Sequence, residues 1–337
     1  MSDDKPYIGG QAVLEGVMMR APGCMVVAVR RPDGSLALSE APLAVSSRGR
    51  LSRVPFVRGV LTLLEAFTLG YRALRFSFEQ QLTEEERASV QGAGSDRGAL
   101  LLSTLIALAL FVALPQLAAD GAGQLLGWEL TGQDPWFHVL TGLFKLLVVT
   151  GYMVAIAQTR EVRRLFAYHG AEHKTIYAYE QQLPLTVDNV RRQSTLHPRC
   201  GTTFLIVVVV VSIIAGTLVV PLVVPAGLPW WADRSLTLLV RIALLPPVAA
   251  VSYELQRLSA RHCTRGPLRL LLWPGFLFQK ITTREPDDEQ IEVAIAAMQA
   301  AVWNEARAEG SAPAPAEPAV FPSFQSLLAA RSVPAGA

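Results

Sequence analysis

Charge is scarce in this chain. Only 17% of its 337 residues are Asp, Glu, Lys or Arg, against roughly 25% in an ordinary soluble domain. A fold wetted on all sides is disfavoured from the start. The formal net charge of +2 lacks the basic excess needed to neutralise a phosphate backbone, which excludes nucleic acid as a partner. The three cysteines, Cys24, Cys200 and Cys263, are odd in number and too few for a disulfide scaffold. Reduced thiols in a cytoplasmic setting are expected. The opening MSDDKPYIGG is polar and acidic, without the basic stretch and apolar core of a secretory signal. There is no internal repeat.

What the chain has instead is long apolar runs. They cover approximately residues 99–119, 137–157, 202–224 and 235–253, each near the ~20 residues that cross a hydrocarbon core. TTFLIVVVVVSIIAGTLVV is apolar on every face, as a lipid-surrounded helix is. Lysine and arginine are asymmetric about these runs. The loop 120–136 has none and 225–234 only Arg234, whereas 158–201 holds Arg160, Arg163, Arg164, Lys174, Arg191, Arg192 and Arg199. The positive-inside bias assigns both termini and the 158–201 loop to the cytoplasm. Lys145 and Arg241 fall inside the runs, where charge is expensive and often functional. Arg241 is close enough to the outer interface to snorkel, while Lys145 is central. Pro246-Pro247 predicts a kink in the fourth span.

The expected fold is mainly α: a polytopic membrane helical bundle of about four spans, with a small N-terminal β-hairpin region and a cytoplasmic C-terminal helix. Residues 1–55 read as a small cytoplasmic β-containing region. Met25 to Arg30 is a strand, Arg31-Pro32-Asp33-Gly34 a turn, and Ser35 to Leu38 a returning strand. Residues 56–98 hold an amphipathic helix, too charged for a span, and a linker. Spans 1 and 2 occupy 99–157 and spans 3 and 4 occupy 202–253. Residues 254–308 hold an interfacial or re-entrant segment, Leu268 to Ile281, then a helix opened by TTREPDD. The tail 309–337 is expected to be disordered.

Chemistry concentrates in 158–201. On a helix, His169, Glu172 and His173 share one face, the spacing of helical zinc sites. Neutral imidazoles suit zinc, and Glu172 is placed to take a proton from water. His197-Pro198-Arg199-Cys200 supplies a second pair of donors on a turn. Four ligands would close the site, and three would leave it open for catalysis. Glu254 is an alternative ligand. Glu180 supports rather than ligates, being ~10 Å up the helix from His173. His138 belongs to the opposite side of the membrane, and His262 to the surface or lipid. Gly9 to Arg20 lacks phosphate-loop spacing, and Glu15 with Arg20 reads as a structural ion pair.

GGQAVLEGVMMR, YHGAEHKTIYAYE, LTVDNVRRQSTLHPRCGTTFL and TTREPDDEQIEVAIAA resemble, in order from Gly9 to Met298, the YqhQ-like family of uncharacterised bacterial membrane proteins. The resemblance implies a bacterial inner-membrane protein and a metal-dependent enzyme using His169, Glu172, His173, His197 and Cys200. The expectation is a cytoplasm-facing zinc hydrolase. His169, His173 and His197 would hold the ion, Cys200 would be a fourth or exchangeable ligand, and Glu172 the base. It would act on a peptide, membrane-protein segment or lipid-linked molecule. The alternative is a transporter, scaffold or assembly factor in the bilayer with a structural metal.

Overall fold

The computed structural model describes residues 6–43, 54–83, 85–86, 97–262, 270, 272–307 and 318–330. Strands β1 (Gly9–Val13) and β2 (Gly16–Arg20) are joined by a two-residue turn, with Val13 opposite Gly16 and Glu15 at φ 51°. Strands β3 (Cys24–Arg30) and β4 (Leu36–Pro42) follow, turned at Gly34 with φ 84°, a conformation glycine adopts without strain. This second pair is the expected hairpin. It lies within a larger antiparallel sheet of order β1-β2-β3-β4-β5.

The fifth strand corrects the reading of the tail. Residues Ala319–Phe321 form β5 on the edge of β4, and Phe324–Ala330 form a helix whose Leu327 is fully buried. A short apolar segment can escape disorder when a ready sheet edge supplies its partners. The rest of the expected tail lies outside the described residues, as does most of the expected linker.

In chain order the helices are α1 (Val57–Gln81), α2 (Arg97–Leu108), α3 (Leu114–Leu125), α4 (Pro135–Ile156), α5 (Arg160–Glu180), α6 (Val187–Arg191), α7 (Thr202–Val223), α8 (Trp230–Ala243), α9 (Leu245–His262), α10 (Trp273–Thr282), α11 (Asp288–Arg307) and α12 (Phe324–Ala330). A π turn, Ala109–Ala113, joins α2 to α3 just before Pro115; the ring of a proline excludes the ordinary backbone bond of its turn.

Among the described residues, three helices are long and apolar enough to cross a membrane: Leu101–Leu125, Pro135–Ile156 and Thr202–Val223. They become four if the pair α8–α9, bent by 48°, is one span. That bend immediately precedes Pro246-Pro247, as expected from the missing backbone donors. Only 17%, 11% and 17% of the most apolar windows of the three straight helices is buried, so their side chains face outward, compatible with contact to a lipid bilayer.

The sheet is covered on both faces, which is why β3 reads as a continuous apolar run. One face, with Val17, Met19, Val26 and Ala28, packs on Tyr168 and Ala171 of α5 and on Ile291 to Ala301 of α11. The other, with Val13, Met18, Val27 and Val29, packs on Leu69 and Ala73 of α1. Helix α11 begins later than TTREPDD suggested. Residues 283–287 lie in neither helix nor strand, and Asp287 and Gln290 exchange backbone-to-side-chain hydrogen bonds of 2.8 and 3.0 Å as a reciprocal cap. Helix α10 occupies the expected interfacial segment and packs on α7.

Leu327→Ala tests whether α12 is part of the core. The loss of a buried leucine is expected to destabilise by about 2–5 kcal/mol, read as a lowered thermal midpoint of the solubilised protein. Val320→Ala, at a half-exposed strand position, should be nearly silent.

Candidate metal centre

The site begins with the helix that carries it. Thr159 caps α5 by accepting from the Val162 amide at 3.4 Å, and Glu161 sits in the positive first turn. The helix runs unbroken through Glu180, so His169, Glu172 and His173 do share a face. The two imidazole centroids are 4.4 Å apart.

Each of these histidines is oriented by a main-chain carbonyl. His169 Nδ1–H donates to Thr282 O at 2.8 Å, and His173 Nδ1–H donates to Thr195 O. A carbonyl can only accept, so Nδ1 carries a proton, and it is the neutral ring in that tautomer that offers a lone pair at Nε2. Histidines that bind metals are held in this way. Both turn toward Cys200, whose Sγ lies 3.3 Å from His169 Nε2. Ligand atoms of His169, His173 and Cys200 all fall within 4.8 Å of one another. Two imidazoles and a thiol, gathered from separate segments and partly or fully buried, fit a borderline-soft divalent ion such as zinc.

His197 lines the same cleft without joining that group. Its ring centroid is 5.7 Å from that of His173 and 4.6 Å from Tyr177. Its Nδ1 accepts from the Arg199 amide at 3.3 Å, and its buried Nε2 faces Glu180 at 3.6 Å without a hydrogen bond. Burial pushes its pKa down to about 4, against the opposing pull of Glu172, so the ring is neutral at physiological pH. Burial likewise lowers His173, with the Cys200 thiol opposing. It raises the Glu172 carboxyl, opposed by His169 and His197.

Two close approaches shape the site. A Cβ on Gly170 would lie 2.0 Å from the Arg284 carbonyl oxygen, so only glycine lets α5 lie against residues 282–284. Gly10 of β1 rests on Glu172 in the same manner, at 2.7 Å. Above them is a cleft of about 430 Å³, lined by His169, Glu172, His173, His197 and Cys200 and by residues 7–12.

The remaining expected residues fall elsewhere. Glu254 pairs with Arg58 at 2.5 Å. Glu15 and Arg20 do not pair with each other: Glu15 binds Arg164 at 2.5 Å and Arg20 binds Glu65 at 2.7 Å. Glu180 forms an ion pair with Arg199. His138 lies inside the apolar bundle, and the side chain of His262 lies outside the described residues.

Sequence reasoning missed the clamps. Gln279 of α10 accepts from the His197 amide at 2.8 Å and donates to the His197 carbonyl at 2.9 Å. Its signal was a lone amide in the apolar run LLLWPGFLFQKI. Thr195 and Thr282 act through backbone carbonyls, which carry no side-chain signature.

The chain matches, over residues 54–304, the family described as a protein of unknown function, DUF1385. It is 35% identical over 302 residues to an uncharacterized protein, YqhQ, of Bacillus subtilis (strain 168), covering 86% of this chain and 90% of that one. No solved structure matches.

Gly170→Ala tests the packing that holds the site. The added methyl must push α5 off the Arg284 carbonyl, because contacts under 3.0 Å do not persist. Alkylation of Cys200, followed by peptide-resolved mass spectrometry, is expected to accelerate. Gly151→Ala meets nothing within 4 Å and should leave the rate unchanged.

Proposed function

The chain belongs to the DUF1385 family of proteins of unknown function, and within it we propose a membrane-embedded, metal-dependent hydrolase whose site faces the cytoplasm. One observation carries this reading. Two imidazoles commit Nδ1 to carbonyls and turn Nε2 toward a thiol, with a buried carboxyl in the same cleft. His169, His173 and Cys200 would hold zinc. Three protein ligands are the complement of an open, catalytic site rather than a closed structural one. Zinc there would act as a Lewis acid on a substrate carbonyl and lower the pKa of water.

The rest of the chemistry belongs to this chain's own side chains. Glu172 is the general base. Its carboxylate accepts a proton from the attacking water and returns it to the leaving group. Its burial between Gly10 and α5 shields that transfer from bulk water. Neutral His197, with Nε2 unpartnered, is a donor for charge that develops on the substrate. The substrate class that fits best is a peptide or membrane-protein segment. Strand β1 is the outer strand of the sheet and lines the cleft, so an extended chain can add to its edge.

The bacterial inner membrane, with both termini cytoplasmic, is the location we infer. The lysine and arginine asymmetry supports it. So does the sheet, whose strands come from both ends of the chain and therefore need both ends on one side.

A structural metal clip in a non-enzymatic scaffold is the second reading, favoured by the way the same donors tie α5, the 195–200 turn and residue 282 together. Metal analysis of purified protein separates the two. For a hydrolase, Glu172→Gln keeps stoichiometric zinc and loses ~10²–10⁴-fold of the peptidase or cellular activity, while His173→Ala loses both. For a clip, Glu172→Gln is silent and His173→Ala unfolds the turn. Purified wild-type protein without stoichiometric metal would sink both readings.

A further inference from the structure

Well away from the metal centre, inside the apolar bundle, basic side chains converge without an acid among them. Lys145 is the eleventh of the 22 residues of α4, about 15 Å from either end at 1.5 Å per residue. Its Nζ lies 3.4 Å from Ser212 Oγ of α7. From α8, Arg241 Nη2 donates to His138 Nδ1 at 2.9 Å, and His138 Nε2–H donates to the Gly132 carbonyl at 3.1 Å. Arg241 therefore turns into the bundle beside the first turn of α4 instead of facing lipid, and its guanidinium sits 5.3 Å from the Phe137 ring centroid. Its Nε is buried without a hydrogen-bond partner.

These groups line one cavity of about 40 Å³ with Thr141, Ser212 and Gly216. That is room for roughly three waters at 10–15 Å³ each, or for one small ion, and too little for a lipid headgroup. The hydroxyls are not its donors, because Thr141 and Ser212 donate to the carbonyls of Phe137 and Val209 at 2.7 and 2.8 Å. The nearby acids are already bound. Asp120 and Asp233 both grip Arg234 at 2.5 Å, and Asp120 also accepts from Trp230 at 2.8 Å. Among the described residues, neither Lys145 nor Arg241 forms an ion pair with a carboxylate. Two like charges at this depth repel strongly in a low dielectric, and an anion between them reverses the sign of that interaction.

We propose that this cavity binds a small monovalent inorganic anion of chloride size, held by Lys145 Nζ and the Arg241 guanidinium. The test uses the full chain in nanodiscs of zwitterionic lipid. Saturable binding of radiolabelled chloride is expected, competed by bromide and not by gluconate, which is too large to enter. The thermal midpoint should rise saturably as chloride replaces gluconate at constant ionic strength. Lys145→Met with Arg241→Met should abolish both effects. The proposal is overturned if the wild-type protein binds no chloride saturably, or if the double variant keeps the chloride-dependent rise. Direct binding to the wild type decides the matter should the variant fail to fold.

Discussion

Everything at the candidate metal site depends on two imidazole N–H groups finding carbonyl acceptors on other segments. His169 reaches Thr282 and His173 reaches Thr195. Those bonds set the tautomers, aim both Nε2 atoms at Cys200, and fasten the turn before α7 and the end of α10 to α5. They require α5 and residues 282–284 to lie in backbone contact, which Gly170 permits. Lys174 reinforces the same junction from the buried side, binding Glu285 at 2.8 Å and the Arg191 carbonyl at 2.9 Å.

The two-sided sheet turns this local junction into a rigid platform. Helix α5 presents His169, Glu172 and His173 toward β1 and the cleft, while Tyr168 and Ala171 enter the core shared with α11. The two imidazoles and the carboxyl are thereby held by a helix whose other faces are immobilised, the arrangement that keeps a site preorganised. The ion pair of Arg164 with Glu15 fastens the β1–β2 turn to the same helix. The apolar helical half of the molecule follows a separate rule. Its outward faces are apolar and its few charges turn inward, an arrangement compatible with a lipid surround.

Much of this was legible in one dimension. The four apolar runs announced the three long apolar helices and the bent pair α8–α9, since a run of about 20 apolar residues satisfies its backbone internally as a helix. Pro246-Pro247 announced the bend between α8 and α9. Helical spacing put His169, Glu172 and His173 on one face. The order of the ligands was not legible. In the sequence His197 stood ahead of Cys200 as the expected third donor, whereas the clamp of Gln279 on the His197 peptide leaves the thiol, rather than that ring, beside His169. Nor could the pattern show that Glu15 faces Arg164 instead of Arg20, or that residues 319–330 return to complete the sheet. Partners far apart in the chain leave no periodic trace.

The sequence by itself determined what periodicity and chemistry encode locally: apolar helices, the β3–β4 turn, and a helix face bearing two imidazoles and a carboxylate. Tertiary structure alone decided which donors converge, which histidine stands aside, and which charges within the apolar bundle share a cavity. The physical reason is that hydropathy and helical repeat act within a few residues. A ligand set and a charge cavity are instead built from backbone carbonyls and side chains that only packing brings within hydrogen-bond reach.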